Sequence, residues 1–387
     1  MNILLVPPND LITNALPNRL FHLAKYWTTR HRLYLLRYPN YPTSTNIERQ
    51  LERIDIVYKA NPAKNPGTYY IKNATRIKDA LKKTIEREPI DVIIHANILP
   101  SYYAVKLAKK YKIKTIFDYL DHYPESAAVY YKNHIAKKIV YTAVSLATRY
   151  NLKNSDTTVT VSYTLKQILE KYTKKPIHLI PNGVDTSIFK PHPKEVAKKT
   201  LALEQHQPVL LYHGSITEWI DYDILLKTTA KLKPKHPNIL LLLVGKIYKE
   251  NEKAEIQQKI KQLNIEKNIL IHAPQPQEKI PLYISASDIV IAPFKNLNMN
   301  YGTPVKIFES LSCQTPTFVP DIPEFRIWFG NYLEYYRSLD DLITKIDYVL
   351  NQYDNIIYKL KQAREYIKEN FDWEKLADKY ENIIKLL

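Results

Sequence analysis

The amino-acid sequence predicts an α/β chain made of two doubly wound domains. Three observations carry that expectation. Short β-branched or leucine-rich runs alternate with longer amphipathic ones through most of the 387 residues, the pattern of parallel strands joined by helices. The alternation restarts near the midpoint. A proline-bearing segment, Lys190-Pro191-His192-Pro193, lies at the restart, and two prolines so close oppose helix and favour an extended connector.

Taken in order, the first strand is the apolar run at 2–6, ended by Pro7-Pro8. Further strands are expected at 32–37, 54–58, 91–95, 113–117, 157–161 and 177–180, each a short apolar or β-branched run. Helices near 17–29, 70–87, 99–111, 133–151 and 162–172 fill the intervals with the 3.6-residue spacing of apolar positions. The second half gives strands at 208–213, 239–244, 268–271, 288–292 and 315–319. Helices are expected near 221–233, 251–264, 277–286 and 303–313, then almost continuously from about 338 to the end. The domain boundary is placed at about 182–193. No repeat of 20–50 residues is present, which excludes solenoids and propellers. Sheets of this kind bind ligands at the carboxyl ends of their strands, so the expected site is a cleft between the domains.

Composition narrows the function. With 45% apolar and 25% charged residues the chain is an ordinary globular one, and disorder and collagen are excluded. No apolar stretch is long enough to span a membrane, and no charged leader precedes the first apolar run. A single cysteine, Cys313, forms neither an internal disulfide nor a cysteine-based zinc site. These absences point to a cytoplasmic protein. The net charge of +17 is uneven: 29 Lys+Arg against 14 Asp+Glu over residues 1–185, but 27 against 25 over 186–387. A basic half suits a polyanionic partner, such as nucleic acid, an anionic membrane face or a phosphorylated acceptor; the plainer alternative is a solvated lysine-rich surface.

Only six glycines occur, and four of them, Gly183, Gly214, Gly245 and Gly302, follow predicted strands or open helices. Glycine there lets backbone N–H groups approach a phosphate, although each taken singly can be a turn glycine. Neither Gly-x-Gly-x-x-Gly after the first strand nor a P-loop sequence is present, which argues against nicotinamide oxidoreductases and P-loop NTPases. The richest segment is Tyr301-Gly302-Thr303-Pro304-Val305-Lys306-Ile307-Phe308-Glu309. Thr303 suits an N-cap and Pro304 the first turn. Lys306 and Glu309, three apart, share a helix face. A cation in the first turn opposes the helix dipole, which makes sense opposite a diphosphate, with Glu309 accepting from a ribose; an ordinary surface ion pair is the alternative. Asp221-Tyr222-Asp223 has a D-x-D spacing, but its place at a helix start favours N-capping by Asp221 over metal binding.

Five segments closely resemble those of family 4 glycosyltransferases, which have the retaining mechanism and the GT-B fold, two Rossmann-like domains facing across a cleft. They are Pro181-Asn182-Gly183-Val184-Asp185-Thr186-Ser187-Ile188-Phe189-Lys190-Pro191, Tyr212-His213-Gly214-Ser215, Leu243-Val244-Gly245-Lys246, Ser287–Phe294 and Pro304–Glu309. The resemblance is strong over 155–320 and thin across the first 90 residues. It implies transfer of a sugar from a nucleotide-diphosphate donor, UDP- or GDP-linked, with no other cofactor. Residues 1–185 would bind the acceptor, 186–371 the donor, and a last helix at about 372–387 would pack back on the first domain. Glu309 matches the second of the family's paired glutamates. Tyr301 stands where the first belongs, a departure that matches a subgroup with Pro-x-Lys-x-x-Glu. Leaving-group stabilisation would then fall on Lys306, Lys246, the backbone of Gly214 and Ser215, and the helix start at Thr303, Pro304 and Val305. No metal is then required. In the first half, Ile116–Pro124 resembles the acceptor-domain loop, with Asp118, Asp121 and His122 as candidates to orient the acceptor hydroxyl or donor sugar, or as a polar turn with caps. His95 reads better as a structural histidine. The acceptor is expected to be a glycan, a lipid-linked molecule or a protein, with possible peripheral contact to an anionic membrane. A basic nucleic-acid-binding protein and an inactive sugar-nucleotide-binding homologue are the alternatives; the first lacks any recognition motif beside its charge.

Overall fold

A computed structural model describes every residue except 15, 16, 130, 132, 218, 248 and 296–300. The chain forms two units, Met1–Asn182 with Trp373–Leu387 and Gly183–Asp372.

The first unit is a sheet of seven parallel strands, β1 (Asn2–Val6), β2 (Arg32–Leu36), β3 (Ile54–Ile56), β4 (Val92–His95), β5 (Lys114–Tyr119), β6 (Thr157–Thr160) and β7 (Ile177–Leu179), in the order β3-β2-β1-β4-β5-β6-β7. Burial on both faces explains why these strands read as continuous apolar runs rather than alternating ones. One face carries the helix Arg19–Trp27 and the C-terminal helix Trp373–Lys385, whose Leu376, Ala377, Tyr380 and Ile384 join a core with Trp27 and Leu5. The Trp27 indole donates to the Ala377 carbonyl at 3.3 Å and its ring meets Tyr380 edge-on at 5.1 Å. The other face packs Leu4, Tyr34 and Ile93 against Tyr69, Ile77 and Leu81.

The second unit has six parallel strands, β8 (Val209–His213), β9 (Leu240–Val244), β10 (Ile269–His272), β11 (Ile289–Ile291), β12 (Thr317–Pro320) and β13 (Glu334–Tyr336), in the order β10-β9-β8-β11-β12-β13. The order reverses between β8 and β11, so the crevice at their carboxyl ends is the place where such a sheet takes a ligand. Val209 to His213 runs in register with Leu240 to Val244, which brings Gly214 and Gly245 together just past the two strand ends.

Several features differ from the sequence reading. Lys190–Pro193 is not the connector: the chain passes between units at Asn182–Gly183, and Phe189 is fully buried in the second unit, where the His192 N–H donates to Ser285 at 3.0 Å. Pro193 stands at the N-cap of a helix, Lys194–Thr200, and so starts an element instead of preventing one. Short helices at Tyr123–Ala128 and Pro323–Phe329 likewise carry proline in the first turn, a position where its missing N–H is no loss. The expected helix at 70–87 is two, Pro66–Lys72 and Ala74–Arg87, parted at buried Asn73, whose side chain bonds Asn61 and Tyr69.

Candidate active site in the second unit

The helix Val305–Ser312 begins two residues later than the sequence suggests. Pro304 (φ −65°, ψ 127°) occupies the N-cap position, and no side chain caps the helix. Thr303 is therefore not the cap: it precedes a proline, which steers it away from helical conformation, and it is fully buried. The first turn contains no acidic residue, leaving the positive end of the helix without a carboxylate of its own.

Lys306 projects from that first turn to the end of β8. Its ammonium donates to the Tyr212 hydroxyl at 3.0 Å and lies 4.5 Å from the centre of the Tyr212 ring and 5.3 Å from that of Phe294. Tyr212 in turn donates to the Ser215 carbonyl at 2.7 Å, which fixes the phenol and through it the ammonium. Burial drives the Tyr212 hydroxyl well above its usual value, so it stays protonated. Among the described residues no carboxylate lies at ion-pair distance from Lys306. Burial lowers the Lys306 ammonium to about 8, with Glu309 pulling the other way. A β-carbon on Gly214 would lie 3.0 Å from the Lys306 nitrogen, so the missing side chain at Gly214 is what admits the ammonium.

Glu309, one turn on, is raised by burial to about 7 against the pull of Lys306. One carboxylate oxygen lies 3.5 Å from Nδ1 of His213, and the other ring nitrogen of His213 is 3.3 Å from Ser310 Oγ. Burial, with Lys306 nearby, holds His213 far down at about 3, so the ring is neutral and its contact with Glu309 is not an ion pair. The motif thus gathers a cation, an acid and a neutral imidazole at one strand end. Tyr212, His213 and Phe294 lie within quoted motifs to which the sequence assigned no role; only the placement of β8 and β11 side by side shows what they touch.

The structure redistributes some expected roles. The Gly214 N–H is taken up by the Val244 carbonyl at 2.8 Å and that of Gly245 by His272 at 3.1 Å, so the Gly214 amide is not free for a phosphate. Ser215 is joined to the site through Tyr212. Lys246 is exposed, and its carbonyl accepts from Ile216 at 2.9 Å. Asp221 caps the helix Tyr222–Leu232 through the Ile224 N–H at 3.3 Å, and Asp223 pairs with Lys227 at 2.6 Å and Lys259 at 3.0 Å, so the D-x-D carboxylates serve the fold.

The first unit holds Asp118. Its side chain, on β5, is fully buried, 3.5 Å from the buried guanidinium of Arg19, and burial lifts it to about 6. The strand alternation turns it toward the face that carries Arg19 and Tyr380. Asp121 is exposed and organises the turn after β5, accepting from the His122 N–H at 2.7 Å and from the Ser126 hydroxyl. His122 is largely buried, 3.5 Å from Glu125. His95 bonds Ser155 at 2.9 Å, stacks on Phe117 at 4.9 Å and is depressed by burial to about 3, a structural histidine.

Comparison with known proteins bears on the family and the fold. Residues 193–372 match the family described as "Glycosyl transferases group 1" and residues 17–188 that described as "Glycosyltransferase Family 4". A D-inositol 3-phosphate glycosyltransferase of Segniliparus rotundus is 28% identical over 141 residues, 36% of this chain and 30% of that protein. The chain spans from 30% to about half of the length of the first curated relatives it matches. Among solved structures, sucrose-phosphate synthase from Thermosynechococcus elongatus superposes with a TM-score of 0.78 at 16% identity, covering 100% of this chain and 98% of the other. Anabaena HepE in complex with UDP-glucose does so with 0.74 at 13% identity, covering 100% of both. These likenesses establish the GT-B fold. With two family matches that between them run from residue 17 to residue 372, the chain belongs to glycosyltransferase family 4.

Proposed function

We propose that the protein is a retaining, metal-independent glycosyltransferase that moves a hexosyl group from a nucleotide-diphosphate sugar, UDP- or GDP-linked, to an acceptor hydroxyl. One observation carries the reading: a half-buried ammonium, Lys306, held by a phenol and two aromatic faces, with no carboxylate at ion-pair distance among the described residues, beside an uncapped helix start. A partly desolvated charge without a counter-ion is unfavourable, and a diphosphate supplies the counter-charge. The complex of HepE with UDP-glucose supports such a donor.

In this reading Lys306, the Ser215 amide and the backbone N–H groups of Val305 and Lys306 face the diphosphate. Breaking the glycosyl–phosphate bond builds negative charge on the leaving oxygen, so fixed donors there stabilise the transition state more than the ground state. Glu309 accepts from the ribose hydroxyls, with neutral His213 and Ser310 holding it in place. Thr303 and Pro304 set the helix start, and Lys246 is a second, outer cation for the donor. Asp121 and His122 orient the acceptor hydroxyl or the donor sugar. The acceptor, a glycan, a lipid-linked molecule or a protein, is met by the first unit, with the protein in the cytoplasm or at the inner membrane face. No helix among the described residues is long and apolar enough to cross a membrane.

The test is a thermal-shift and calorimetric screen of UDP, GDP, dTDP and ADP, followed by proton NMR of the product's anomeric configuration with the donor that binds. One nucleotide is expected to stabilise the protein at micromolar to millimolar concentration. Absence of a response to all four, together with tight salt-dependent DNA binding, would replace this reading with the nucleic-acid one. Donor hydrolysis by the wild type and not by Lys306→Ala would separate an active enzyme from an inert homologue.

A further inference from the structure

The first unit carries a surface that includes none of the residues assigned to the transfer reaction. The helix His134–Asn154 is capped by Asn133, whose side chain accepts from Ile135 and Ala136. Its buried residues are Thr148, Asn151 and Leu152, all in the C-terminal third. Asn151 donates to the Ile98 carbonyl at 3.0 Å, and the Tyr150 ring meets Tyr102 at 4.7 Å, so this end is anchored on the helix Leu99–Tyr111.

The remainder packs one side on the short helix Tyr123–Ala128, with Ala136, Val140 and Val144 half-buried, and leaves its outer side exposed. Ile135, Ile139 and Leu146 are 70%, 62% and 61% exposed, and Tyr141 is 40% exposed. At about 100° per residue, Ile135, Ile139 and Leu146 fall within about 40° of one another, a continuous apolar stripe opposite the buried side. Large aliphatic side chains in such a row are unusual on a free surface and mark an interaction site.

The charge identifies the occupant. Lys137, Lys138, Arg149 and Lys153 lie on the same helix, and no Asp or Glu occurs from Ala127 to Ser155. The neighbouring helix adds Lys106, Lys109 and Lys110, followed by Lys112, within a stretch, Val92 to Phe117, that also lacks Asp and Glu; Lys114 beyond them pairs with Asp156 at 3.8 Å. Lys138, Arg149 and Lys153 fall within about 80° of the stripe's centre, and an apolar stripe flanked by cations with no carboxylate on its own helix is the pattern of a helix lying in the headgroup layer of an anionic bilayer. A second copy of the chain would bring like charges together, and nucleic acid has no use for three outward aliphatic side chains.

We propose that the helix His134–Asn154 docks the first unit on an anionic lipid surface, with Ile135, Ile139 and Leu146 inserted at the level of the acyl boundary and the lysines on the headgroups. The proposal is independent of the sugar-transfer reading.

The experiment is co-sedimentation of the full chain with vesicles of phosphatidylcholine alone and of phosphatidylcholine with 30% phosphatidylglycerol. Binding is expected with the second and not the first. Ile135→Ser/Ile139→Ser/Leu146→Ser is expected to lower partitioning at least tenfold with an unchanged unfolding temperature, because the three side chains are exposed. Lys138→Gln/Lys153→Gln is expected to lower it about thirtyfold, two charges at about 1 kcal/mol each. A second readout avoids the folding question: Cys313 is buried, so a polarity-sensitive thiol label attaches selectively at Ile139→Cys or, as control, at Ile327→Cys in the second unit. Blue-shifted emission with anionic vesicles at 139 alone supports the proposal. Equal partitioning of wild type and triple-serine variant, an unshifted label at 139, or a wild-type dimer that the triple-serine change converts to monomer without any vesicle binding would each overturn it.

Discussion

Gly245→Ala isolates the backbone contact on which the candidate site is built. A β-carbon there would lie 2.0 Å from the Gly214 carbonyl oxygen and 2.6 Å from its carbon, at a φ of +157°. Both atoms are backbone, tied by the bond from the Gly214 N–H to Val244, so at least one strand end must move by about 1 Å. Overpacking of this kind costs about 1–3 kcal/mol, and loss of a ladder hydrogen bond adds about 1 kcal/mol. A total of about 3 kcal/mol corresponds to a fall of roughly 6–12 °C in Tm for a unit of this size. Gly214→Ala is the matched comparison. Its β-carbon meets only the flexible end of Lys306, at 3.0 and 3.3 Å, although at a strained φ of +118°. The cost is about 1–2 kcal/mol, with nucleotide affinity reduced about tenfold because the ammonium must swing aside. Differential scanning calorimetry with and without the stabilising nucleotide measures both. A Gly245→Ala variant melting within 2 °C of wild type, or a Gly214→Ala variant that melts lower than Gly245→Ala, would refute the reasoning.

Other perturbations test separate groups. Glu309→Gln should weaken nucleotide binding at least tenfold by calorimetry while leaving the circular dichroism unchanged; full affinity would remove Glu309 from the site. Glu309 is raised to about 7 from an ordinary 4.5, so the folded state holds its proton longer than the unfolded one and stability is lost as pH climbs from about 4.5 to 7. The Tm of Glu309→Gln relative to wild type should therefore increase from pH 5 to pH 8, and a constant difference would contradict the burial of this carboxyl. Asp118→Ala leaves Arg19 buried without its counter-charge and should cost about 3–5 kcal/mol in urea unfolding; lost transfer with unchanged stability would return Asp118 to catalysis. Asp221→Ala removes a helix cap and should cost about 1 kcal/mol, with nucleotide affinity unaltered by chelator; a chelator-sensitive affinity would mean that the D-x-D acids hold a metal.

Much of the architecture is legible in the residues because parallel strands buried on both faces leave uninterrupted apolar runs. Leu240-Leu241-Leu242-Leu243-Val244 needs no context to be read as a strand. Glu334-Tyr335-Tyr336 does, since a three-residue strand at the sheet edge has neither length nor apolar continuity. Prolines mislead where they open helices, as at Pro193, Pro124 and Pro323, because the same ring that breaks a helix interior is harmless at its start. Within the site, the three-residue spacing places Lys306 and Glu309 on one face from sequence alone. That the Gly214 amide belongs to the ladder, and that Tyr212 rather than an acid receives the Lys306 ammonium, depends on the register of β8 against β9 and on the crossing of β11, and those are tertiary facts.

The electrostatics of the site favour one class of ligand over others. Lys306 and Glu309 are each shifted toward neutrality by desolvation, the lysine downward and the acid upward, so each charge gains from a partner of the opposite kind. A neutral sugar would leave the ammonium uncompensated, and a metal cation would add to it. A polyanion alone would repel Glu309. A molecule with an anionic centre and, about one helical turn away, a pair of hydroxyl donors relieves both at once, because the anion restores the charged lysine and the hydroxyls restore the carboxylate. A nucleoside diphosphate has this arrangement. The same complementarity explains the aromatic lining: the faces of Tyr212 and Phe294 hold the ammonium in place without supplying the negative charge that would compete with the ligand.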